Sequence, residues 1–416
     1  MKRSTILVVG CGFPQLGLIR FCKAEGLRVV GADLNPTAVG VALCDAFAEA
    51  STTQVVDLVR AAVEHEVDGI TTAGSEHALL PTAIAAREAG LSFYADPHTL
   101  LGFRTKTMER QACRGASAPV PGFVQVSSLA EAQRAVLEFG MPVVVKPARG
   151  WGQRGVRIVR ELVELAPAVR AALAASANAG QPDACLVEEF VEGREFSVNA
   201  YTLEGATEVL AVTERIITGY PDPPGITHAE VYPPNVTPGV LGDLSAATRR
   251  AIAALGIQRG PTYTQLRHDG RGAYVIETAH RCGGGLDPEV TYLASGVSLY
   301  RKLCGAALGR PEWERAGPEA SRHAAAIGRF LVGRPGRVTR IEGLNAARGM
   351  PGVLDAEVYV GPGETVHPLT DGSKRVGHVV VAADSRHDAE QRAELAGQAI
   401  QIHTEVKEVA VGEQRR

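Results

Sequence analysis

The chain lacks several features that would classify it at once. No apolar run approaches the ~18 residues that a bilayer-spanning helix needs, so a membrane span is not expected. Charge of one sign is also missing: 43 Lys and Arg stand against 46 Asp and Glu, a net charge of −3. That balance argues against nucleic acid as the main partner, while leaving room for a small phosphate ligand held by a few local cations. The seven cysteines (Cys11, Cys22, Cys44, Cys113, Cys185, Cys282 and Cys304) are scattered, odd in number and form no CxxC. A disulfide framework and a structural zinc site are therefore not expected, and a reduced, cytoplasmic setting is. Met1-Lys2-Arg3-Ser4 is followed by only about five apolar residues and a glycine turn. This reads as a buried strand, too short for the apolar region of a signal peptide.

Glycine is plentiful, at 46 of 416 residues, against a usual ~7%. It follows no repeat, so collagen and linker readings fail. Hydrophobic residues make up 45% and charged residues 21%, enough for a sizeable core. At roughly 150 residues per domain the length predicts about three domains. Strand and helix signals alternate to about residue 100, beginning with Ile6-Leu7-Val8-Val9 and Leu27–Asp33, which predicts an open α/β sheet. Residues 104–142 read as mostly helical, broken at Ala118-Pro119-Val120-Pro121-Gly122. Strands are expected at 142–147, 185–190, 195–200, 261–267 and 273–278, with helix near 161–178 and 289–308. The stretch 219–239, dense in Pro and Gly, reads as a long loop. From about residue 327 the strand-like runs and a late helix read as a separate α+β unit.

Gly10-Cys11-Gly12-Phe13-Pro14-Gln15 follows a strand and opens a helix, and Asp33 ends the next strand. The pattern approximates the dinucleotide fingerprint, but Gln15 stands where a third glycine belongs. The loop is therefore read as architecture, with a nicotinamide or flavin site as its alternative.

A second glycine loop carries more. Lys146 ends an apolar strand and runs into Gly150-Trp151-Gly152-Gln153-Arg154-Gly155. Such a loop can lay backbone N–H groups and one ammonium over a polyphosphate. It has no GKS or GKT, so it is not a P-loop. Around it stand, in order, Lys106 upstream, Glu188-Glu189-Phe190-Val191, a turn to Glu195, and Ile276-Glu277-Thr278-Ala279-His280-Arg281-Cys282 followed by Gly283-Gly284-Gly285.

With this ordered set the sequence resembles the ATP-grasp superfamily, in the branch of carbamoyl-phosphate synthetase large chain, biotin carboxylase and the L-amino acid ligases. The resemblance covers Ile6 to about Ile402. It implies an α/β and α+β multidomain fold: a Rossmann-like domain over 1–102, an ATP-grasp domain over 103–310 with a lid at about 117–190, and a C-terminal α+β unit over 311–416 that completes the module. It implies ATP and Mg²⁺ as cofactors. Lys106, Lys146 and Arg215 would contact phosphates, and Gly150, Gly152 and Gly155 would close over them. Glu188, with the backbone of Glu189 and Val191, would meet the adenine, and Glu195 the ribose. Glu277 and Gln265 would hold metal, Gln265 and Ala279 being departures from the commonest ligand pattern. Arg281 would face the transferred phosphoryl group. Gly283, Gly284, Gly285, His228 and Glu230 would line the acceptor pocket.

The implied activity is an ADP-forming carboxylate–amine ligase working through an acyl-phosphate, with small-molecule carboxylate and amine partners, amino acids first, and a homodimer as its assembly. The alternatives are bicarbonate or formate activation, and an ATP-binding pseudoenzyme. Cys282, beside Arg281, reads as a packing residue rather than a nucleophile.

Overall fold

Continuous apolar runs at the front of the chain become buried parallel strands. Every residue of Thr5–Val9 is buried. This strand pairs in parallel with Arg28–Asp33 and Gly69–Thr71, and Ala46–Glu49 adds an edge. Helices between these strands start where the sequence supplies caps: Pro14 in the first turn of Phe13–Ala24, and Ser75, whose hydroxyl accepts from the amide of Ala78, ahead of Glu76–Glu88. These features belong to a computed structural model that describes residues 3–150, 155–180, 184–218, 225–319 and 322–405.

A four-stranded sheet follows, ordered Phe123–Val126, Cys185–Glu189, Val143–Pro147, Arg157–Val159. Helices Leu129–Phe139 and Leu162–Asn178 cover it, and Val143, Val145, Leu165, Ala168 and Val187 fill the space between. Phe123–Val126 corrects the mostly helical reading of 104–142. Its four residues are too few to show a period, and its partner lies about sixty residues downstream.

The largest element is an eight-stranded sheet. Its order is Ala273–Ala279, Gly260–His268, Arg194–Leu203, Ala206–Thr218, Ile226–Tyr232, Ala325–Leu331, Gly377–Ala383, Val353–Val358. Two expectations change here. The stretch 219–239 is not one long loop: Ile226–Tyr232 is a strand in the middle of the sheet. Its prolines and glycines flank the seven strand residues, five of them β-prone or apolar, instead of interrupting them. Nor is the segment after residue 327 separate. Three of its strands extend the central sheet, through pairs such as Ala229 with Arg329. Only Thr365–Val366, Gly336–Glu342 and Gln401–Glu405 form a sheet of their own. Among the described residues no helix is long and apolar enough to cross a membrane.

The front sheet is fastened to the centre by packing of Leu18, Ile19 and Cys22 with Leu299, Leu303 and Cys304, and by a close backbone approach. A Cβ on Gly284 would lie 2.7 Å from the carbonyl oxygen of Gly74, which itself has φ +65°. Gly284→Ala should therefore cost about 1–3 kcal/mol by overpacking, read as a lower midpoint in chemical denaturation. Gly102→Ala, where nothing lies within 4 Å, should leave the midpoint in place.

Candidate active site

The helix Lys106–Gly115 is capped by Thr105, whose hydroxyl accepts from the amide of Met108. Lys106 is its first residue, and the Lys106 amide donates to the carbonyl of Ala148 at 2.9 Å. One turn on, Arg110 shares the same helix face. Arg110 is fully buried. Its Nε donates to Glu188 Oε1 at 2.8 Å and its Nη2 to the carbonyl of Ile276 at 2.5 Å. Lys146 meets the other oxygen of Glu188 at 2.6 Å. Glu188 is therefore a buried carboxylate between two cations. Burial works against its charge, but Arg110 and Lys146 hold its pKa below the usual value. Burial lowers the Lys146 ammonium, and the positive charge of Arg110 lowers it further. Despite the pull of Glu188 it sits at about 8.

Gln265 and Glu277 stand directly opposite one another on neighbouring antiparallel strands. Lys106 Nζ reaches Glu277 Oε1 at 2.6 Å. Burial opposes the charge of Glu277, yet Lys106 overrides it and the carboxyl lies at about 2. A firmly anionic carboxylate facing an amide side chain is a hard-oxygen pair suited to Mg²⁺ that takes its remaining ligands from phosphate and water. No cluster of three or more His, Cys, Asp or Glu poised for a metal occurs among the described residues, so protein ligands alone would not fill a coordination shell.

Two cavities meet at this pair. The first is lined by Lys106, Lys146, Gly150, Glu188, Glu189, Phe190, Val191 and Glu195, with Gln265 and Glu277 at its border. The apolar side chains Val144, Val156, Ile158 and Leu266 give it walls fit for a flat ring. The second, of about 690 Å³, shares Gln265 and Glu277. It is also lined by Arg215, Glu230, Arg281, Gly284, Gly285 and Asp287. Arg281 is fixed by Glu76 at 2.8 Å and by its own bond to the carbonyl of Cys282. The front sheet contributes Phe13, Pro14 and Gln15 to this wall. In the first glycine loop Asp33 accepts from the amides of Cys11 and Asn35, at 2.8 and 2.9 Å. The side chain of Gln15 occupies the space above Gly10 and donates to the carbonyl of Ala73. The acid and the space that a dinucleotide would use are both filled.

Several expected roles change. Glu188 lines the first cavity, but both its oxygens are engaged by Lys146 and Arg110, so its side chain anchors cations instead of reading an adenine. Arg215 lies in the second cavity, bonded to the hydroxyls of Tyr263 and Thr227, and does not border the first. Gly155 is not among the residues lining the first cavity; a Cβ there would meet Ala175 and Pro147. Gly283 packs on the carboxyl of Asp287; only Gly284 and Gly285 reach the second cavity. Gly152 and Trp151 lie outside the described residues. His228 is not in the acceptor cavity at all. The Ile226–Tyr232 strand carries a bulge: Ile216 pairs with Ala229 but Ile217 with Thr227. His228 is the extra residue, so Thr227 shares the face of Glu230 and His228 lines a different cavity with Arg329 and Arg334. His280 Nε2 donates to the carbonyl of Arg259 (2.7 Å), and the ring is pushed down to about 4 by burial, a neutral packing residue.

Sequence reading missed Arg110, Arg267, Asp287 and Arg375. Arg110 had a usable signal, four residues after Lys106 on one helix face. Arg267 sits two residues after Gln265 on the same strand. It meets Glu195 at 2.5 Å and donates to the carbonyl of Val191 at 2.8 Å. Glu195 thus lines the first cavity with Arg267 bonded to it and Arg215 Nε 3.6 Å from its other oxygen. Replacing Arg110 with Met removes one of Glu188's two cations and should destabilise the fold by about 3–5 kcal/mol, checked by urea unfolding against wild type.

The chain is similar to known proteins in sequence and in fold. A family model described as "ATP-grasp domain" matches residues 139–289, and one described as "L-amino acid ligase C-terminal domain 2" matches 329–405. An uncharacterised protein of Sinorhizobium fredii is 32% identical over 297 residues, 71% of this chain and 60% of that one. Dapdiamide A synthase of Enterobacter agglomerans is 26% identical over 252 residues, 59% of this chain and 58% of its own. The matches thus span about 60% of these relatives' lengths. Among solved structures, the L-amino acid ligase of Bacillus licheniformis superposes with a TM-score of 0.77 at 20% identity, over 97% of this chain and 100% of that one. The biotin carboxylase domain of Hydrogenobacter thermophilus 2-oxoglutarate carboxylase gives 0.79 at 19% identity, over 97% and 91%. The chain therefore carries an ATP-grasp domain over 139–289 joined to an L-amino acid ligase C-terminal domain over 329–405.

Proposed function

We propose that the protein is an ADP-forming carboxylate–amine ligase that joins amino acids through an acyl-phosphate. The observation that carries this reading is the shared border of the two cavities. A smaller space with two lysines and apolar walls and a roomy polar space with Arg281 abut at Gln265 and Glu277. A γ-phosphate at that border would lie within reach of Lys106, Lys146 and a substrate carboxylate at once. In the first step a carboxylate oxygen attacks the γ-phosphorus of ATP and ADP leaves. In the second an amine attacks the acyl carbon, the C–O bond to phosphate breaks, and the amine proton is lost.

This chain's residues would act mainly by position and charge. Lys146, held by Glu188, and Lys106, held by Glu277, neutralise phosphate oxygens. Arg281 offers a planar fork to the acyl-phosphate and the tetrahedral species after it. Glu277 and Gln265 would hold Mg²⁺, which supplies further charge neutralisation when bound. The volume of about 690 Å³ favours two organic substrates over bicarbonate or formate alone. Assembly as a homodimer is part of this proposal, the Hydrogenobacter biotin carboxylase domain being described as a dimer; light scattering on the purified protein tests it.

Phosphate release from ATP with pooled amino acids, with dipeptides identified by mass spectrometry, tests the activity. ATP binding without release for any amine, bicarbonate or formate would overturn it. Lys146→Ala and Glu277→Ala should each lower turnover by ~10³-fold or more; Lys146→Ala also takes one of Glu188's two cations and should lose stability as Arg110→Met does, so turnover is compared under conditions where urea unfolding shows each variant folded. A pH dependence follows from Lys146. Its ammonium is charged below about 8 and neutral above, so affinity for a non-hydrolysable ATP analogue should weaken as pH rises through about 8. Lys146→Arg, charged throughout, should flatten that profile.

A further inference from the structure

An amine arrives for the second step as an ammonium and has no lone pair until a proton leaves. The acids around the two cavities differ in their fitness to take that proton. Glu277 is tied to Lys106 and lies at about 2, too weak a base. Glu76 is paired with Arg281, and Glu195 with Arg267. Burial raises the Tyr263 phenol, which keeps its own proton. Glu230 is different. Among the described residues it forms no ion pair, and hydroxyls hold it: Ser197 Oγ donates to Oε1 at 3.2 Å and Thr213 Oγ1 to Oε2 at 2.6 Å. The nearby cations are bonded elsewhere, Arg215 to the hydroxyls of Tyr263 and Thr227, and Arg375 to the carbonyl of Thr227.

The sheet fixes where the Glu230 carboxyl lies. Ser197 is the register partner of both Thr213 and Gln265, and Gln265 is that of Glu277. Thr213, Ser197, Gln265 and Glu277 thus form one row across four neighbouring strands. Glu230 stands on the next strand, Ile226–Tyr232, and its carboxyl reaches back over Thr213 to Ser197. That puts it one to two strands from Gln265, about 5–10 Å at the usual spacing. It also lines the second cavity. The reacting acyl carbon belongs at the Gln265–Glu277 border, so an amine attacking from the second cavity comes in on the Glu230 side. The setting suits a base. Glu230 is 1% exposed. Burial and the charge of Asp287, which lines the same cavity, raise its carboxyl to about 8, and Arg215 offsets only part of that rise. A carboxyl of that proton affinity can take a proton from an ammonium near neutral pH.

We propose that the Glu230 carboxylate is the general base of amide formation. It takes the proton that frees the amine's lone pair. The N–C bond then forms, the C–O bond to phosphate breaks, and the departing phosphate carries off the second N–H proton, while Glu230 passes its own to solvent. This rests on the ligase reading and adds a catalytic residue to it.

The test compares pooled amino acids with hydroxylamine as acceptor, in wild type, Glu230→Gln and Asp287→Asn. Hydroxylamine is neutral at neutral pH and needs no base before it attacks. Glu230→Gln keeps an oxygen for the two hydroxyls to bond. It should lower amide formation from the amino acids by about 10²-fold or more, and hydroxamate formation by less than about 5-fold. Positional isotope exchange in oxygen-labelled ATP, with the donor pool present, reads phosphoryl transfer alone and should change by less than about 3-fold. Equal losses with both acceptors, or no loss with either, would overturn the inference and leave the ligase reading intact. So would a loss in isotope exchange, or a selective loss in Asp287→Asn that Glu230→Gln does not share. Melting and ATP-analogue binding show whether Glu230→Gln is folded. If it is not, Thr213→Val, which strips Oε2 of its donor and keeps the carboxylate, must show the same selectivity at smaller size, or the inference fails. A wild type that gives neither exchange nor product sinks the ligase reading and this inference with it.

Discussion

The contact on which the rest of the site depends is the bridge from Lys146 through Glu188 to Arg110. It joins three segments that the chain makes far apart: the Lys106–Gly115 helix, the Val143–Pro147 strand and the Cys185–Glu189 strand. Two of these belong to the small four-stranded sheet, and the helix packs against the large one. The bridge therefore sets how the small sheet sits over the large one, and with it the height of the first cavity. Three charges removed from water are tolerable only because each is met. Arg110 adds a backbone carbonyl to its carboxylate, which uses directions that Glu188 cannot fill.

The two lysines are held differently, and the difference is chemical. Lys106 pairs with the carboxylate that also borders the second cavity, so its position is tied to that of Glu277. Lys146 pairs with a carboxylate that faces away toward Arg110, and its charge is weakened by a neighbour of the same sign. One ammonium is firmly charged. The other has a proton affinity close to physiological pH and stands to gain most from an approaching polyphosphate, whose negative charge favours its protonated form.

Much of this was legible in the sequence, for a physical reason. Lys146 at a strand end, Glu277 near the close of another, and the glycines after Arg281 are local features, fixed by a few neighbouring residues. Gln265 opposite Glu277 follows from two consecutive strands meeting in a hairpin. What could not be read was set by distant pairing. Arg110 looked like an ordinary charge on a helix, because its partners Glu188 and Ile276 lie about eighty and 166 residues away. Arg375 sits in a polar turn that gains meaning only once the C-terminal strands have joined the central sheet. Phe123–Val126 and Ile226–Tyr232 are strands because of the neighbours they find, not because of a strong pattern of their own. Arg215 was expected at the phosphates, yet the sheet places it among Tyr263, Thr227 and Glu230.

His228 illustrates the same limit and has an evolutionary side. The extra residue in the Ile226–Tyr232 strand decides which of its side chains belongs to the large cavity and which to the reverse face. Loss of that one residue would restore strict alternation and leave Thr227 on the face of Glu230. Straightening the strand at its present length would instead send Thr227 and the residues before it to the reverse face while Glu230 stayed in place. The bulge, more than any single exchange of side chain, thus decides which residues of this strand form the cavity wall, so relatives with different substrates are best compared here by strand register.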